Sequence, residues 1–405
     1  MIPAPIKQPR EGEFIALVAF LMAMVAMSID AMLPALGLIA DGLGARGAND
    51  RQLILAFLFA GLSIGQFFYG PLSDAIGRRK SLLIGLSLYM MGSLISVFAP
   101  NFETLLAARL LQGFGAAGPR IVAVAMVRDS YEGRAMARIM SFAMSIFILV
   151  PVLAPSIGQA VLLLASWKVI FAGLSIMGLI ALLWSMLRQP ETLSQEKRVP
   201  VSLHNLWQSL KYVLSHPVSL GYIFATGFIF GGFIGYLNST QQILGEAYGL
   251  GAKFPLFFGI LAAGFGASSF LNAKLVMRFG MHFLSLRAGI MMVVIASLLL
   301  AYELIHPGLP PLFYLMASLL GIFFCAGVLF GNYNTLAMEP VGHIAGAAAA
   351  IIGSATTGIS LIIGTFIGQA YDGTPFNISL GFALCGLGAL IAQRLAEAGR
   401  LQKPR

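Results

Sequence analysis

The sequence predicts an all-α integral membrane protein of twelve transmembrane helices in two six-helix bundles. Three observations carry this expectation. Only 10% of the 405 residues are charged, and 58% are hydrophobic before 46 glycines are counted; soluble domains are nearer a quarter charged. Twelve stretches reach the roughly 20 apolar residues that a helix needs to cross hydrocarbon. The basic residues between those stretches fall overwhelmingly on one side of the implied membrane. This arithmetic excludes a disordered chain, a nucleic-acid module and an ordinary cytosolic enzyme. The formal charge of +9 then reads as a map of loops, not as a sign of a polyanionic partner.

In order, the apolar stretches lie near 14–39, 53–71, 80–98, 104–126, 139–164 and 168–187. After a polar break they continue near 218–243, 254–275, 283–304, 311–334, 344–369 and 376–396. The first is expected to remain as a span: it is too long for a cleaved signal, and Asp30 interrupts it. With the N-terminus inside, nineteen of the 25 basic residues are cytoplasmic and four, Arg46, Arg51, Lys168 and Lys253, are outside. Both termini are therefore expected on the cytoplasmic side of the membrane. The loop around 335–343 has no Lys or Arg, and nothing beyond its shortness explains that. Cys325 and Cys385 lie in apolar runs and read as small buried hydrophobes.

The polar break divides the chain into an N-terminal bundle (1–188), a cytoplasmic linker (189–217) and a C-terminal bundle (218–405). Within the linker, Leu203, Leu206, Trp207, Leu210, Val213 and Leu214 recur at helical spacing behind a capping Ser202. That pattern fits an amphipathic helix on the membrane face, or equally a solvated linker helix. Six spans, a linker and six spans suggest an internal repeat. The loop GPLSDAIGRRK at 70–80 has a degenerate copy near 272–282. Gly77 and Gly280 match at an offset of 203, with Met277 where Asp74 would be repeated. Two bundles around a central cavity suit an alternating-access carrier.

Charges inside the spans are the first functional candidates, because a charge in hydrocarbon is costly and faces water or a partner. Asp30 is the acid placed well inside a span, about 14 Å from its outer end. Arg109 and Arg120 are eleven residues apart in the fourth span, and so share one helix face within about 20°. At depths of about 8 and 24 Å they bracket Asp30. The expectation is a proton-responsive pairing of Asp30 with Arg109. Arg120 faces a substrate cavity or reaches the inner interface.

The remaining candidates are neutral. Pro151, Pro155 and Gly158 punctuate the fifth span and either seal one end of a cavity or kink the helix passively. Gly70 and Gly77 are expected to serve a helix exit and a tight turn, with Asp74 in a charge cluster that locks one conformation. Tyr236, Asn238, Gln241 and Gln242, with Asn332 and Asn334, could contact substrate or bridge helices. Met27 and its neighbours Met22, Met24 and Met32 suit an adaptable apolar cavity, although most such residues pack or face lipid.

Over essentially its whole length the chain resembles the major facilitator superfamily. The loop is similar to that family's signature at Gly70, Leu72, Asp74, Gly77, Arg78 and Arg79. LAARLLQGFGAA is similar to the fourth-helix signature of its proton-coupled members through Arg109, Gln112, Gly113 and Gly115. APSIG at 154–158, SIDAMLPAL and VRDSYEGRAMARIMSF resemble the Bcr/CflA group of drug:proton antiporters. The resemblance implies Asp30 and Arg109 in proton coupling and Asp74 docked at the N-terminal end of the eleventh span, where the helix dipole favours an acid. Arg78, Arg79, Gln112, Gly113, Pro151, Pro155 and Gly158 are implied in conformational gating. There are two departures. Ala154 stands where a glycine usually precedes Pro155, a form that the Bcr/CflA relatives share. Gln241 stands where the seventh span usually carries a proline, which points away from a typical drug.

The expected function is therefore a proton-coupled secondary transporter that exports a drug-like or amphipathic molecule by alternating access. The alternative is a proton-coupled symporter or exporter dedicated to one metabolite. An intramembrane enzyme is disfavoured: the histidines at 204, 216, 282, 306 and 343 show no ligand spacing, and no nucleotide-binding loop is present. No cofactor, metal or nucleic acid is expected. The expected partners are the substrate, protons and the bilayer, and the expected state is a monomer.

Overall fold

The structure is a computed structural model, described here for residues 10–200 and 202–401. Lys7, Lys403 and Arg405, counted above among the tail charges, lie outside them. The described residues form fourteen α-helices joined by short 3-10 or π turns. They are α1 (Glu11–Asp30), α2 (Leu36–Gly42), α3 (Leu53–Ile76), α4 (Arg78–Val97), α5 (Phe102–Ser130), α6 (Gly133–Leu164) and α7 (Lys168–Arg188). Then follow α8 (Leu203–Ser215), α9 (Pro217–Thr240), α10 (Phe254–Phe279), α11 (Met281–Ile305), α12 (Leu312–Met338), α13 (Ala345–Gln369) and α14 (Phe376–Leu401). Among the described residues, twelve segments are long and apolar enough to cross a membrane; α1 and α2 together make the first.

Several boundaries carry their cause in the sequence. Asn101 accepts a hydrogen bond from the Thr104 amide at 2.9 Å and caps α5, satisfying one of the orphan donors of its first turn. Ser202 does the same for α8, accepting from the Asn205 amide at 3.2 Å. Gly77 separates α3 from α4 with φ 98° and ψ 156°. Gly280 separates α10 from α11 with φ 78° and ψ 157°. Residues with a Cβ rarely adopt this conformation, so one glycine makes the whole turn in each half.

One expected exit is corrected. Gly70 lies inside α3, which continues through Pro71 to Ile76. Pro71 is tolerated there as an in-helix proline of a membrane span, and the Gly70 carbonyl accepts from Ser73 Oγ at 3.0 Å.

The chain forms two compact units. The first comprises Met1–Ala45 with Phe57–Trp207, the second Arg46–Ala56 with Gln208–Arg405. Relative to the expected division, the 46–56 segment groups with the second unit and most of the linker with the first. In the first unit α4 packs on α5 and α7, while α1 packs on α6, α5 and α7. In the second, α9 lies against α13, α14 and α12. Gly227, Gly231 and Gly235 line one face of α9, where a Cβ would press into Ile359, Ile363 and Ile367 of α13. Small residues four apart let membrane helices approach closely. Phe98, Leu164, Phe313 and Phe366 are among the large apolar side chains left exposed, a surface suited to hydrocarbon rather than water.

Candidate functional site

The first unit is organised around a break in its first span. Pro34 has no N–H to offer the carbonyl four residues earlier, which is that of Asp30. α1 accordingly ends at Asp30, a 3-10 turn covers Leu33–Ala35, and α2 resumes at Leu36. The final turn of α1 therefore has carbonyls without helical donors. Arg109 supplies one: its Nη2 donates to the Ser28 carbonyl at 2.9 Å. A cation at a helix C-terminus is also favoured by the helix dipole.

Arg109 is fully buried and held by oriented neutral groups. It donates to Gln112 Oε1, and Gln112 Nε2 donates to Ser93 Oγ at 2.7 Å. Ser28 Oγ donates to the Met24 carbonyl at 2.7 Å and lies 2.7 Å from the Tyr89 hydroxyl. The Phe171 ring lies 5.7 Å from the guanidinium carbon. Hydrogen bonds to a charged group are each worth about 1.5–3 kcal/mol net, so this cradle offsets much of the cost of burying the cation.

Asp30 is buried, with 4% exposure, but the ion pairs of the described residues do not include Asp30 with Arg109. The expected pairing is corrected on this point. Ser28 and Asp30 are two residues apart, so their side chains leave α1 about 200° apart. The helix edge that meets α4 and α5 is therefore not the edge that carries the carboxylate. α6 packs against α1 and the 3-10 turn after it. Its buried positions Ala154, Pro155 and Gly158 lie on one face. A Cβ at Gly158 would overlap the Ala31 carbonyl oxygen, so the small residue is what lets the α6 backbone lie on the break. Pro151 is half-buried in the same uninterrupted helix.

Gly113 brings α5 against α3, where a Cβ would overlap the Leu58 carbonyl. Arg120 is half-buried, in contrast to Arg109 on the same face. Met27 is half-buried on an α1 edge with Phe20 and Ala23.

Around the α3–α4 turn the charge cluster is larger than the sequence suggested. Arg78 is paired with Asp74 and donates from Nε to Asp129 Oδ2 and from Nη1 to Ser73 Oγ, each at 2.8 Å. Its backbone amide donates to Glu191 Oε1 at 2.8 Å, and that of Arg79 to Glu191 Oε2 at 3.3 Å. A carboxylate from the linker thus caps the N-terminus of α4, where free amides and the dipole favour an anion. Arg79 Nη2 donates to the Met186 carbonyl at 2.6 Å, and the Val199 amide donates to the Asp74 carbonyl at 3.1 Å. Glu191, Asp129 and Ser73 were missed as candidates. The signals were an acid following a helix-ending proline and an acid in the motif after the fourth span.

In the second unit most of the polar candidates hydrogen-bond between elements, the bridging alternative of the two expected for them. Tyr236 is buried, stacked on Phe258 and edge-on to Phe323. Asn238 is buried and donates to the Gly364 carbonyl at 3.1 Å, bridging α9 to α13. Asn334 donates to the Phe330 carbonyl at 2.8 Å within its own helix. Asn272 and Asn332 exchange amide hydrogen bonds at 2.9 and 3.2 Å.

Gln241 opens a π turn, Gln241–Ala247, and accepts from Arg51 Nη1 at 3.3 Å. Arg51 also pairs with Glu246. Beside it Gln52 donates to Gln242 at 2.8 Å, and Gln242 donates to Asn49 Oδ1 at 2.9 Å. Asn49 Nδ2 donates to the carbonyls of Gln369 and Tyr371 at 3.0 and 2.8 Å. This clasp fastens the segment before α3 to the ends of α9 and α13. Glu303 is a second acid buried in a span, at 4% exposure, accepting from Ser379 Oγ at 3.0 Å. The expectation that Asp30 was alone in this respect is corrected: a position near the end of an apolar run does not reveal whether the side chain turns inward.

Twelve apolar spans, a glycine turn repeated between the halves and polar groups held at a broken first span define a multi-pass membrane carrier of duplicated plan. The chain belongs to the Major Facilitator Superfamily, whose family model matches residues 15–365. It is 37% identical over 371 residues to the uncharacterized MFS-type transporter YdgK of Bacillus subtilis, covering 89% of this chain and 90% of that one. It is 27% identical to a bicyclomycin resistance protein homolog of Haemophilus influenzae, covering 94% of each chain. It is also 26% identical to multidrug resistance protein D of Escherichia coli, covering 95% of each. The crystal structure of the human organic anion transporter MFSD10 (TETRAN) shares the fold, with a TM-score of 0.67 at 17% identity over 96% of this chain and 100% of that chain.

Proposed function

We propose that this transporter exports amphipathic small molecules in exchange for protons by alternating access, from a bacterial inner membrane with both termini cytoplasmic. The observation that carries the reading is Asp30: a buried acid at a proline-induced break, across α1 from a fully buried arginine that is cradled by neutral oxygens. Whether such a carboxyl holds a proton depends on the water and cations that reach it. The break is where the backbone of this span is interrupted, and discontinuous helices of carriers are where coupling ions bind. The resistance functions named for two relatives favour export of drug-like compounds.

In this reading Asp30 carries the proton and Arg109 tunes it from the far side of α1. Met27 and Arg120 contact substrate. The Asp74–Arg78–Asp129 cluster, with Arg79 and Gly77, holds one conformation, in which Asp74 docks at the start of α13. Gln112, Gly113, Pro151, Pro155 and Gly158 set the helix contacts that change during transport. The protein works as a monomer and needs no cofactor. One proton crossing 100 mV contributes about 2.3 kcal/mol to the exchange.

Proteoliposomes with an imposed pH gradient, screened against a compound panel, test this. Substrate should move against the proton flux in the wild type, and Asp30→Asn should abolish the dependence on the gradient. Accumulation in the direction of the proton flux, or full coupling in the variant, would overturn the proposal.

A further inference from the structure

α5 has two different faces. Glu103, Ala107, Leu110, Phe114, Ile121, Ala125 and Arg128 are all at least partly exposed and fall within about 40° of one another's mean direction at 100° per residue. That stripe is one accessible edge of the helix, with Leu110 and Phe114 lying against Gly61 and Gly65 of α3 in its middle. Arg109 and Arg120 project roughly 100–120° away from it. On their face Leu106, Arg109, Gly113, Ala116 and Val127 are buried, while Arg120 and its neighbour Val124 are accessible. The face that encloses Arg109 therefore opens locally at Arg120, about 16 Å further along the helix.

The hydrogen bonds and ion pairs of the described residues include none from Arg120. A guanidinium cannot lose its charge by deprotonation, and at membrane depth it requires water or a counter-ion. Asp30, the acid within these spans, is buried. Other acids of the first unit already hold cations: Glu13 pairs with Arg188, and Asp74 and Asp129 pair with Arg78. The accessible charge inside the membrane part of this unit is thus positive, and its planar fork matches a carboxylate or sulfonate.

We infer that Arg120 receives an acidic group of the substrate, so that the transported molecules are amphipathic organic anions. The inference rests on the export reading only for the word transported; the recognition itself is an equilibrium property. Binding is therefore measured on the purified full-length protein in detergent, without a proton gradient. The probes are three fluorescent acids, 1-pyrenebutyric acid, fluorescein and dansylglycine, each beside its methyl ester and corrected for partition into empty micelles.

At least one acid should bind wild type about tenfold more tightly than its ester, the size of one charge-assisted hydrogen bond. Arg120→Gln should erase that preference, and Arg120→Lys should keep most of it. Monodisperse elution and a helical circular dichroism spectrum establish that the variants are folded. If no acid is preferred over its ester, or if the preference survives in Arg120→Gln, the inference is wrong. Retained acid binding with no proton-driven flux would instead remove the export reading and leave this one standing.

Discussion

Glu191 offers the sharpest test of how the linker acts on the first unit. Its Oε1 accepts from the amides of Arg78, Thr192 and Leu193 at 2.8, 3.1 and 3.1 Å, and its Oε2 accepts from that of Arg79 at 3.3 Å. Arg198 lies 3.8 Å from Oε2; that partly exposed pair adds little. Replacing Glu191 by Ala removes two charge-assisted bonds from the first turn of α4. One oxygen is shared among three amides, so the lower value of about 1.5 kcal/mol per bond applies, or roughly 3 kcal/mol in all. Local opening of that turn should then become about 150-fold more frequent.

Hydrogen–deuterium exchange of the purified protein, followed over peptides covering residues 77–84, measures this directly. The amides of Arg78 and Arg79 should exchange about two orders of magnitude faster in Glu191→Ala. Glu191→Gln keeps one carbonyl acceptor and should fall between. Unchanged exchange at α4, or acceleration spread evenly through α5 and α7, would refute the capping role.

Other perturbations separate local causes from general damage. Ala at Gly77 meets both a positive φ and the Glu191 carboxylate, whereas Ala at Gly280 meets the positive φ with nothing within 4 Å. Gly77→Ala should therefore lower the thermal midpoint more than Gly280→Ala, whose cost is the strain alone, about 1–2 kcal/mol; equal shifts would contradict this account. Asn49→Ala should free the 46–52 segment to exchange faster than Glu246→Gln does. Asn49 makes several hydrogen bonds, while the Arg51–Glu246 pair has one partner 48% exposed and is worth about 0–1 kcal/mol. Gly158→Ala should reduce proton-coupled flux while leaving the protein folded, since overpacking at one contact costs about 1–3 kcal/mol. Wild-type flux in that variant would show that α6 does not have to touch the break.

The spans, the linker helix and the glycine turns were legible because each depends on a local rule. Run length marks hydrocarbon, Ser202 marks a cap, and Gly77 and Gly280 mark a backbone that other residues avoid. The first-span break was also within reach, since Pro34 stands four residues after Asp30. What was hidden is direction. Helical spacing put Arg109 and Arg120 on one face, but not that the face is closed at one and open at the other. Depth suggested that Asp30 should meet Arg109, while the angle between Ser28 and Asp30 sends the guanidinium to a carbonyl. Glu191 was hidden for a different reason: its target lies more than a hundred residues earlier, and only the turn at Gly77 exposes the amides it receives.

The two halves share a turn but not its chemistry, and that difference assigns work to them. At Gly77 the adjoining helix start is capped by a carboxylate, and Arg78 gathers Asp74, Asp129 and Ser73. At Gly280 the same backbone geometry has nothing within 4 Å of a Cβ, and Met277, in place of Asp74, is 86% exposed. A duplicated turn needs only the glycine to form, so the charges around the first copy are not required for the fold of the turn itself. They have a second effect, which is to tie α3, α4, α5 and the linker into one body. Meanwhile the break at Asp30, bounded by the Arg109 cradle on one edge and by Gly158 on another, is the place in that body where a helix is interrupted inside the membrane. Rigidity at the turn and adaptability at the break are complementary. On the proton-exchange proposal, a proton at Asp30 alters the local packing of α1 on α6 while the network at Arg78 carries the rest of the unit along as a block.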